Sequence, residues 1–484
     1  MATSVVLQKR IGLGYWMKEV LVQCEKVADG FGSDSVHDLR TSLRRCRSMA
    51  DGIMVLDSAP AWKKMKKAGR QLFRSLGALR DTHVLQEWIE KLALDNDIAG
   101  RIFAQFLRAR EEQVKQGAAL ALQQFERKQW SIWADELPTR AARIPLDSPA
   151  FAHLALERWH DAHALHLRAL RNRTNVAFHD LRIGIKRFRY TIENFLPSLH
   201  EGWGRDLKEV QDALGDVHDL DVLWQTAVNL KVFPDPAAKA QWRARIEQER
   251  RERLQDYRNK MVGNGSQWPV WRGALPPAED LRVLGFQRLK IWASFLDPNV
   301  PHSKHVAELA VQLFDGMAMD EIRNPNRERW RYILQAAALM HDVGYSKVNR
   351  GHHKESARMV RKLTPPLGWT ADEIRTASLI ARYHRGALPR ETQRSFSVLP
   401  KSKRWLVQFL GGILRLACAF DRQHDHQIRR VQVESSNPVL TVRAEGYAAA
   451  TALAEHLAAA RHLLEMACHR PVLVLPLEAR ERAA

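Results

Sequence analysis

His37-Asp38-Leu39-Arg40-Thr41-Ser42-Leu43-Arg44-Arg45-Cys46-Arg47 is the stretch on which the reading of this 484-residue chain turns. On a helix, residues three or four apart share a face. That spacing sets His37, Arg40, Arg44 and Arg47 in one row, with Arg45 beside it. Leu39, Leu43 and Cys46 fall on a neighbouring stripe that can meet a core. A row of cations without interleaved acids repels itself, so it needs either full solvation or a polyanion lying along it.

The pattern returns as His179-Asp180-Leu181-Arg182-Ile183-Gly184-Ile185-Lys186-Arg187-Phe188-Arg189. One helix length after each copy comes a second shared phrase. The first reads Leu76-Gly77-Ala78-Leu79-Arg80-Asp81, and the second Leu214-Gly215-Asp216-Val217-His218-Asp219. Two ordered phrases recurring in tandem make an internal repeat.

The duplicated His-x-x-Arg-x-x-x-Arg/Lys-Arg-x-Arg helix, with Leu-Gly-x-x-Arg/His-Asp after it, resembles the CHAD domain. The likeness covers about the first half of the chain. It implies two pseudo-symmetric helical bundles around a basic channel that binds inorganic polyphosphate. The residues it points to are His37, Arg40, Arg44, Arg45, Arg47 and Arg80, then His179, Arg182, Lys186, Arg187 and Arg189. His218 stands where the first repeat has Arg80. Arg80 with Asp81, and His218 with Asp219, are expected to pair and hold the rows in place.

The bulk numbers agree with an anionic partner. The formal net charge is +20 and the pI about 10.0, with the excess shared between the two halves; nucleic acid, acidic membrane and polyphosphate all suit it. The length exceeds one compact domain. Cys24, Cys46, Cys418 and Cys468 show no metal-finger or redox spacing, which points to a reducing compartment. The opening residues 1–10 show no signal-peptide pattern. The most apolar run, 406–420, is interrupted by Gln408 and Arg415, too short a run to span a bilayer. A cytoplasmic protein is expected. The fifteen tryptophans do not interleave with the basic helices, so they read as core rather than stacking platforms for bases. His163 and His166 read as helix-surface residues.

Glycine and proline punctuation at 263–269, continuing to Pro276-Pro277, marks a linker. The expected division is 1–262, with repeat halves 1–140 and 148–262, then a linker 263–279 and a second domain 280–484. Beyond the linker the pattern is helical to about residue 422. A hairpin is then expected around Asn437-Pro438, a helix over 446–466, and a third strand at 472–475.

The second domain carries chemistry of another kind. Ala336-Ala337-Ala338-Leu339-Met340-His341-Asp342-Val343-Gly344 ends a hydrophobic helix with His-Asp, and Gly344 is the expected cap. Adjacent imidazole and carboxylate can hold a divalent cation, which lowers the pKa of water for phosphoester or phosphoanhydride hydrolysis. His305 precedes this pair. His353, Ala381-Arg382-Tyr383-His384-Arg385 and Arg415-Leu416-Ala417-Cys418-Ala419-Phe420-Asp421 follow it. The series resembles the HD phosphohydrolase superfamily and, more narrowly, the C-terminal domain of the exopolyphosphatase/guanosine pentaphosphatase family.

That resemblance implies His305, His341 and Asp342 as metal ligands. His353 and His384 then fall at additional catalytic histidine positions, and Lys347, Arg382 and Arg385 can neutralise phosphoryl oxygens. Asp is expected directly after Ala417, but Cys418 stands there, and Asp421 lies one helical turn on. Cysteine suits zinc and is a poor ligand for magnesium or manganese. The expectation is therefore a mainly all-α protein whose first domain binds polyphosphate, with association to polyphosphate granules. Its second domain binds metal (zinc, manganese or magnesium) and a phosphorylated ligand. The alternatives are an HD phosphohydrolase acting on polyphosphate or a phosphorylated nucleotide, and a nucleic-acid-binding protein.

Overall fold

The structure is a computed structural model that describes residues 12–317, 325–436, 438–449 and 452–477. The opening residues 1–10, read above for a leader, lie outside these. The chain divides into two compact units, residues 1–280 and 281–484.

The first unit is built of α1 (Leu13–Ala28), α2 (Ser33–Ile53), α3 (Pro60–Leu92), α4 (Ile98–Gln123), α5 (Arg127–Ala141), α6 (Pro149–Asn172), α7 (Asn175–Phe195), α8 (Pro197–Asn229), α9 (Pro236–Met261) and α10 (Gln267–Gly273). The repeat is legible in the helix lengths. Helices α2 and α7 both have 21 residues, α3 and α8 both 33, and α4 and α9 both 26. Proline opens α3, α6, α8 and α9 at the first helical turn, where its missing N–H leaves nothing unsatisfied. Asp97, Thr174 and Asp235 cap α4, α7 and α9 by accepting the backbone N–H three residues on. Helix α2 starts at Ser33 behind Gly32, and the Ser35 hydroxyl donates back to the Gly32 carbonyl.

Leu39, Leu43 and Cys46 of α2 are buried, as are Leu181, Ile185 and Phe188 of α7. Equivalent helices of the two repeats touch each other, α2 against α7 and α3 against α8. Trp62, Trp130, Trp242 and Trp271 are fully buried, in keeping with their reading as core residues.

Two expectations for this unit are corrected. The stretch 263–279 is not all linker: Gly263, at φ +82, ends α9, and α10 then buries Trp268 and Trp271 against α6 and α9. The punctuation was real, but the indoles between the breaks supply the apolar area that holds the segment down. His166 is buried rather than on the surface, with Nδ1 2.6 Å from the Tyr257 hydroxyl, and His163 stacks on Trp159.

The second unit comprises α11 (Leu281–Ser294), α12 (Val300–Gly316), α13 (Arg327–Leu339), a 3-10 turn (Val343–Ser346), α14 (His352–Val360), α15 (Ala371–Tyr383), α16 (Arg394–Ser397), α17 (Lys401–Phe420), β1 (Val431–Ser436), β2 (Val439–Ala444), α18 (Ala452–Ala460), α19 (His462–Cys468) and β3 (Val472–Pro476). Helices α12, α13, α15 and α17 surround a core of Leu313, Phe314, Leu334, Phe409 and Ile413. Strands β1 and β2 form the expected hairpin, with Val433 opposite Val442. Strand β3 joins β2 in parallel, with Leu440 opposite Val472. The helix expected over 446–466 is two helices that part at Arg461.

Gly344 is not a left-handed cap. Helix α13 ends at Leu339, and Gly344 lies in the 3-10 turn. Its need for glycine is a close approach: a Cβ there would lie 2.2 Å from the His352 carbonyl oxygen. Its N–H donates to Ser356 Oγ at 2.8 Å, seating α14 against the His341–Asp342 turn. No described helix is long and apolar enough to cross a membrane.

Candidate functional site

Two constellations stand out, one in each unit. In the first unit the cation rows of α2 and α7 are brought together. Arg40, Arg44 and Arg182 are half-buried, and so is Lys186; His37 and Arg187 are exposed. Burial, and after it the nearby Arg182 and Arg44, pushes Lys186 down to about 7. Arg182 is itself lowered by burial, with Asp219 and then Asp81 opposing the effect. Cations of one repeat therefore sit in the field of cations of the other.

The acids that temper them come from the second shared phrase, though not in the expected pairing. Asp81 acts on Arg40 of α2, and Asp219 on Arg182 of α7. Neighbouring residues on a helix point about 100° apart, so Asp81 and Arg80 diverge. Arg80 instead donates to Ser33 Oγ at 3.1 Å and pairs with Glu87 at 2.8 Å. His218 Nδ1 lies 3.4 Å from His179 Nδ1. Gly77 explains the glycine of the first phrase: a Cβ there would lie 2.5 Å from Arg40 Nη1, so the guanidinium lies against bare backbone. Gly215 has open space at the same position.

Arg45 and Arg189 are drawn aside by Glu193, Arg45 by a close ion pair and Arg189 at 3.6 Å. Arg47 and Arg40 lie over the Phe73 ring. The Nε atoms of Arg44, Arg45 and Arg182 are buried without a hydrogen-bond acceptor, and that of Arg189 has Glu193 Oε2 at 3.6 Å, beyond hydrogen-bond distance. Buried donors are nearly always satisfied in folded proteins. The half-buried side chains of Arg40, Arg44, Arg182 and Lys186 concentrate positive charge where the two rows meet.

In the second unit, imidazoles converge on one carboxylate. His302, in the first turn of α12, donates from Nδ1 to Asp421 Oδ2 at 2.7 Å and turns Nε2 toward Asp342 Oδ2, 3.9 Å away. His341 donates from Nδ1 to the Ala338 carbonyl at 2.6 Å, with Nε2 3.4 Å from Asp342 Oδ2. His384 donates from Nδ1 to the Ala381 carbonyl at 2.6 Å, with Nε2 3.8 Å from Asp342 Oδ1. His352, stacked on Tyr345, places Nε2 3.3 Å from Asp342 Oδ1.

Fixing Nδ1–H on an oxygen leaves the lone pair on Nε2 and holds the ring so that this nitrogen can face a metal. Asp342 Oδ1 is buried with no hydrogen bond directed at it. Burial alone would raise this carboxyl, but the imidazoles, His341 foremost, hold it well below the usual carboxylate range. Two three-residue sets share it: His302, His341 and Asp342, and Asp342, His352 and His384. The donor chemistry and the orphaned oxygen fit a divalent metal.

This geometry revises several expectations. His302, not His305, joins His341 and Asp342; His305 Nε2 is spent on the Ile428 carbonyl at 2.9 Å. His352, not His353, enters the pocket, because α14 begins right after Gly351 and its first residue is turned inward. His353 lies beside Gly386. Asp421 orients His302 and also accepts the His426 N–H at 2.9 Å. Cys418 lines the pocket, but its sulfur joins neither set; burial, then Asp342 and Asp421, push the thiol well above its usual value. Lys347 pairs with Glu355, and Arg382 lies over Tyr383, so neither faces the pocket. Arg385 does line it, together with Arg415, Arg422, His424 and His456, which the sequence reading left unassigned. The cavity holds about 180 Å³.

Against known proteins, residues 17–228 match the family model of the CHAD domain, and residues 293–462 that of the Ppx/GppA phosphatase, domain III. No curated protein matches the chain. Among solved structures it is similar to the crystal structure of the CHAD domain from the plant Ricinus communis, at 21% identity over 55% of this chain and 90% of that one, with a TM-score of 0.39.

Proposed function

We propose that this chain, which joins a CHAD domain to a Ppx/GppA phosphatase domain III, binds inorganic polyphosphate along the paired rows of α2 and α7. The observation that carries this reading is the convergence of Arg40 and Arg44 of α2 with Arg182 and Lys186 of α7, close enough that Arg182 and Arg44 help push Lys186 down to about 7. A linear anion with an oxygen-rich backbone can meet several of them at once, through charge-assisted hydrogen bonds. It also restores the charge of Lys186, which the apo face depresses. Binding should weaken steeply with salt, because contact releases counterions. Competition between polyphosphate and duplex DNA at matched salt separates this reading from a nucleic-acid-binding one. Preference for DNA overturns it.

A second reading concerns the second unit, which we infer to be an HD-type metal centre that hydrolyses a phosphorylated ligand. The convergence of four Nε2 atoms on Asp342 supports it. His302, His341, His352 and His384 with Asp342 would hold the ion, and an imidazole-rich set of this kind suits zinc or manganese better than magnesium. A divalent ion supplies Lewis-acid activation of water and of a phosphoryl oxygen. The protein's own part is to keep the Nδ1 protons of His302, His341 and His384 on their carboxylate or carbonyl oxygens, and to set Arg385, Arg415 and Arg422 where phosphoryl charge accumulates. Metal analysis and phosphate release by wild type and His341→Ala test it; metal-free, inactive wild type refutes it. The location expected for such a protein is the cytoplasm, with association to polyphosphate granules.

A further inference from the structure

The turn after α17 holds a histidine whose wiring is opposite to that of the metal-facing ones. Asn299 caps α12: its Oδ1 accepts the His302 N–H at 3.3 Å. With that oxygen committed, the Asn299 amide can offer His424 only its Nδ2 donor, and Nδ2 lies 3.0 Å from His424 Nδ1. The Nδ1 of His424 is therefore an acceptor, and the ring proton resides on Nε2. His302, His341 and His384 are the reverse, with Nδ1 donating and Nε2 bare.

The His424 ring is held parallel to His302, with centroids 3.9 Å apart and an interplanar angle of 21°. Its backbone sits at φ +60, a conformation that non-glycine residues seldom keep without a reason. The residue lines the same cavity as His302, Asp342 and Arg422. A bare Nε2 beside a carboxylate suits a cation, whereas an N–H in a cavity that Arg385, Arg415 and Arg422 also line suits an anionic oxygen.

We propose that His424 is a fixed N–H donor to a phosphoryl oxygen of the ligand at the metal centre, with its tautomer set by Asn299. The proposal rests on the metal-centre reading above and adds to it the group that recognises the phosphoryl moiety. The pocket then divides its histidines by role. Those anchored through Nδ1–H face the ion, and the one anchored through its Nδ1 lone pair faces the substrate. His424 is thus a catalytic residue rather than a fifth imidazole ligand.

The test uses the full chain loaded with manganese and inorganic phosphate as probe. Broadening of the phosphate phosphorus resonance by the paramagnetic ion reports phosphate held beside the metal. His424→Phe keeps a ring against His302 and removes the donor. His424→Gln keeps an amide N–H of similar reach. We expect His424→Phe to weaken phosphate binding at least about tenfold, with His424→Gln within a few-fold of wild type. Manganese content should be equal in all three.

Wild-type phosphate affinity in His424→Phe overturns the donor role and leaves the metal centre standing. Loss of manganese in both variants assigns His424 to metal binding and overturns the proposal in that way. Wild type that takes up no manganese removes the metal-centre reading, and this inference with it.

Discussion

The two units solve opposite electrostatic problems. In the first, α2 and α7 crowd cations until Lys186 is pushed to about 7, and four guanidinium Nε donors go unmet. In the second, imidazoles ring one carboxylate whose Oδ1 accepts no hydrogen bond. The first arrangement has a deficit of negative charge and suits an extended anion; the second gathers nitrogen lone pairs around a carboxylate and suits a compact cation.

The sharpest way to break the comparison is to act on one site and watch the other. Asp342→Asn removes the shared charge of both three-residue sets. Zinc or manganese binding should fall more than about 100-fold, while polyphosphate affinity stays at the wild-type value. A parallel loss of polyphosphate binding would mean that the division of labour is wrong.

Next in size is a matched pair of glycine substitutions. Gly344→Ala drives a Cβ to 2.2 Å from the backbone oxygen of His352, which cannot swing away. It should destabilise the chain by about 3 kcal/mol or more in thermal unfolding and release metal as α14 is displaced. Gly77→Ala meets only the mobile tip of Arg40 at 2.5 Å. There alanine gains up to about 1 kcal/mol of helix propensity, so stability should hold while polyphosphate affinity drops a few-fold. If Gly77→Ala unfolds the protein as readily as Gly344→Ala, the contrast between a mobile and an immobile neighbour fails.

The pH response sharpens the account of the basic face. Lys186 sits near 7 in the folded apo protein instead of its ordinary 10.5. Between those values the unfolded chain holds the proton that the folded one has lost, so apo stability should rise with pH across that window. Polyphosphate favours the charged amine, so affinity should instead fall, roughly tenfold per pH unit at most, as pH climbs above 7. Lys186→Arg should flatten the binding profile. An affinity that rises with pH contradicts this account.

Much of the fold was legible because the repeat is literal. The same His-x-x-Arg spacing builds helices of equal length in both halves, 21 residues in α2 and α7. The hairpin and third strand followed from alternation around Asn437-Pro438 and from the 472–475 run. Within the pocket, His341, Asp342 and His384 could be picked from the phrases that hold them. His302 could not be told from His305, nor His352 from His353, by residue type. What decides each is a partner that residue type does not show: Asp421 and the Ile428 carbonyl, both more than a hundred residues away, draw His302 inward and occupy His305, and Tyr345 stacks on His352. Asn299 before His302 was the one local signal, a cap that fixes where α12 begins. The linker was misread because punctuation was weighed without the two tryptophans, Trp268 and Trp271, that lie inside it.

The central claim is that cations of both repeats grip one anionic chain. Equilibrium binding of inorganic polyphosphate to wild type and to the double variant Arg44→Glu/Lys186→Glu tests it most directly, with metal content as the check on folding. The account predicts at least about a 100-fold loss of affinity and a shallower salt dependence, with metal content unchanged. Wild-type affinity in the double variant would contradict it.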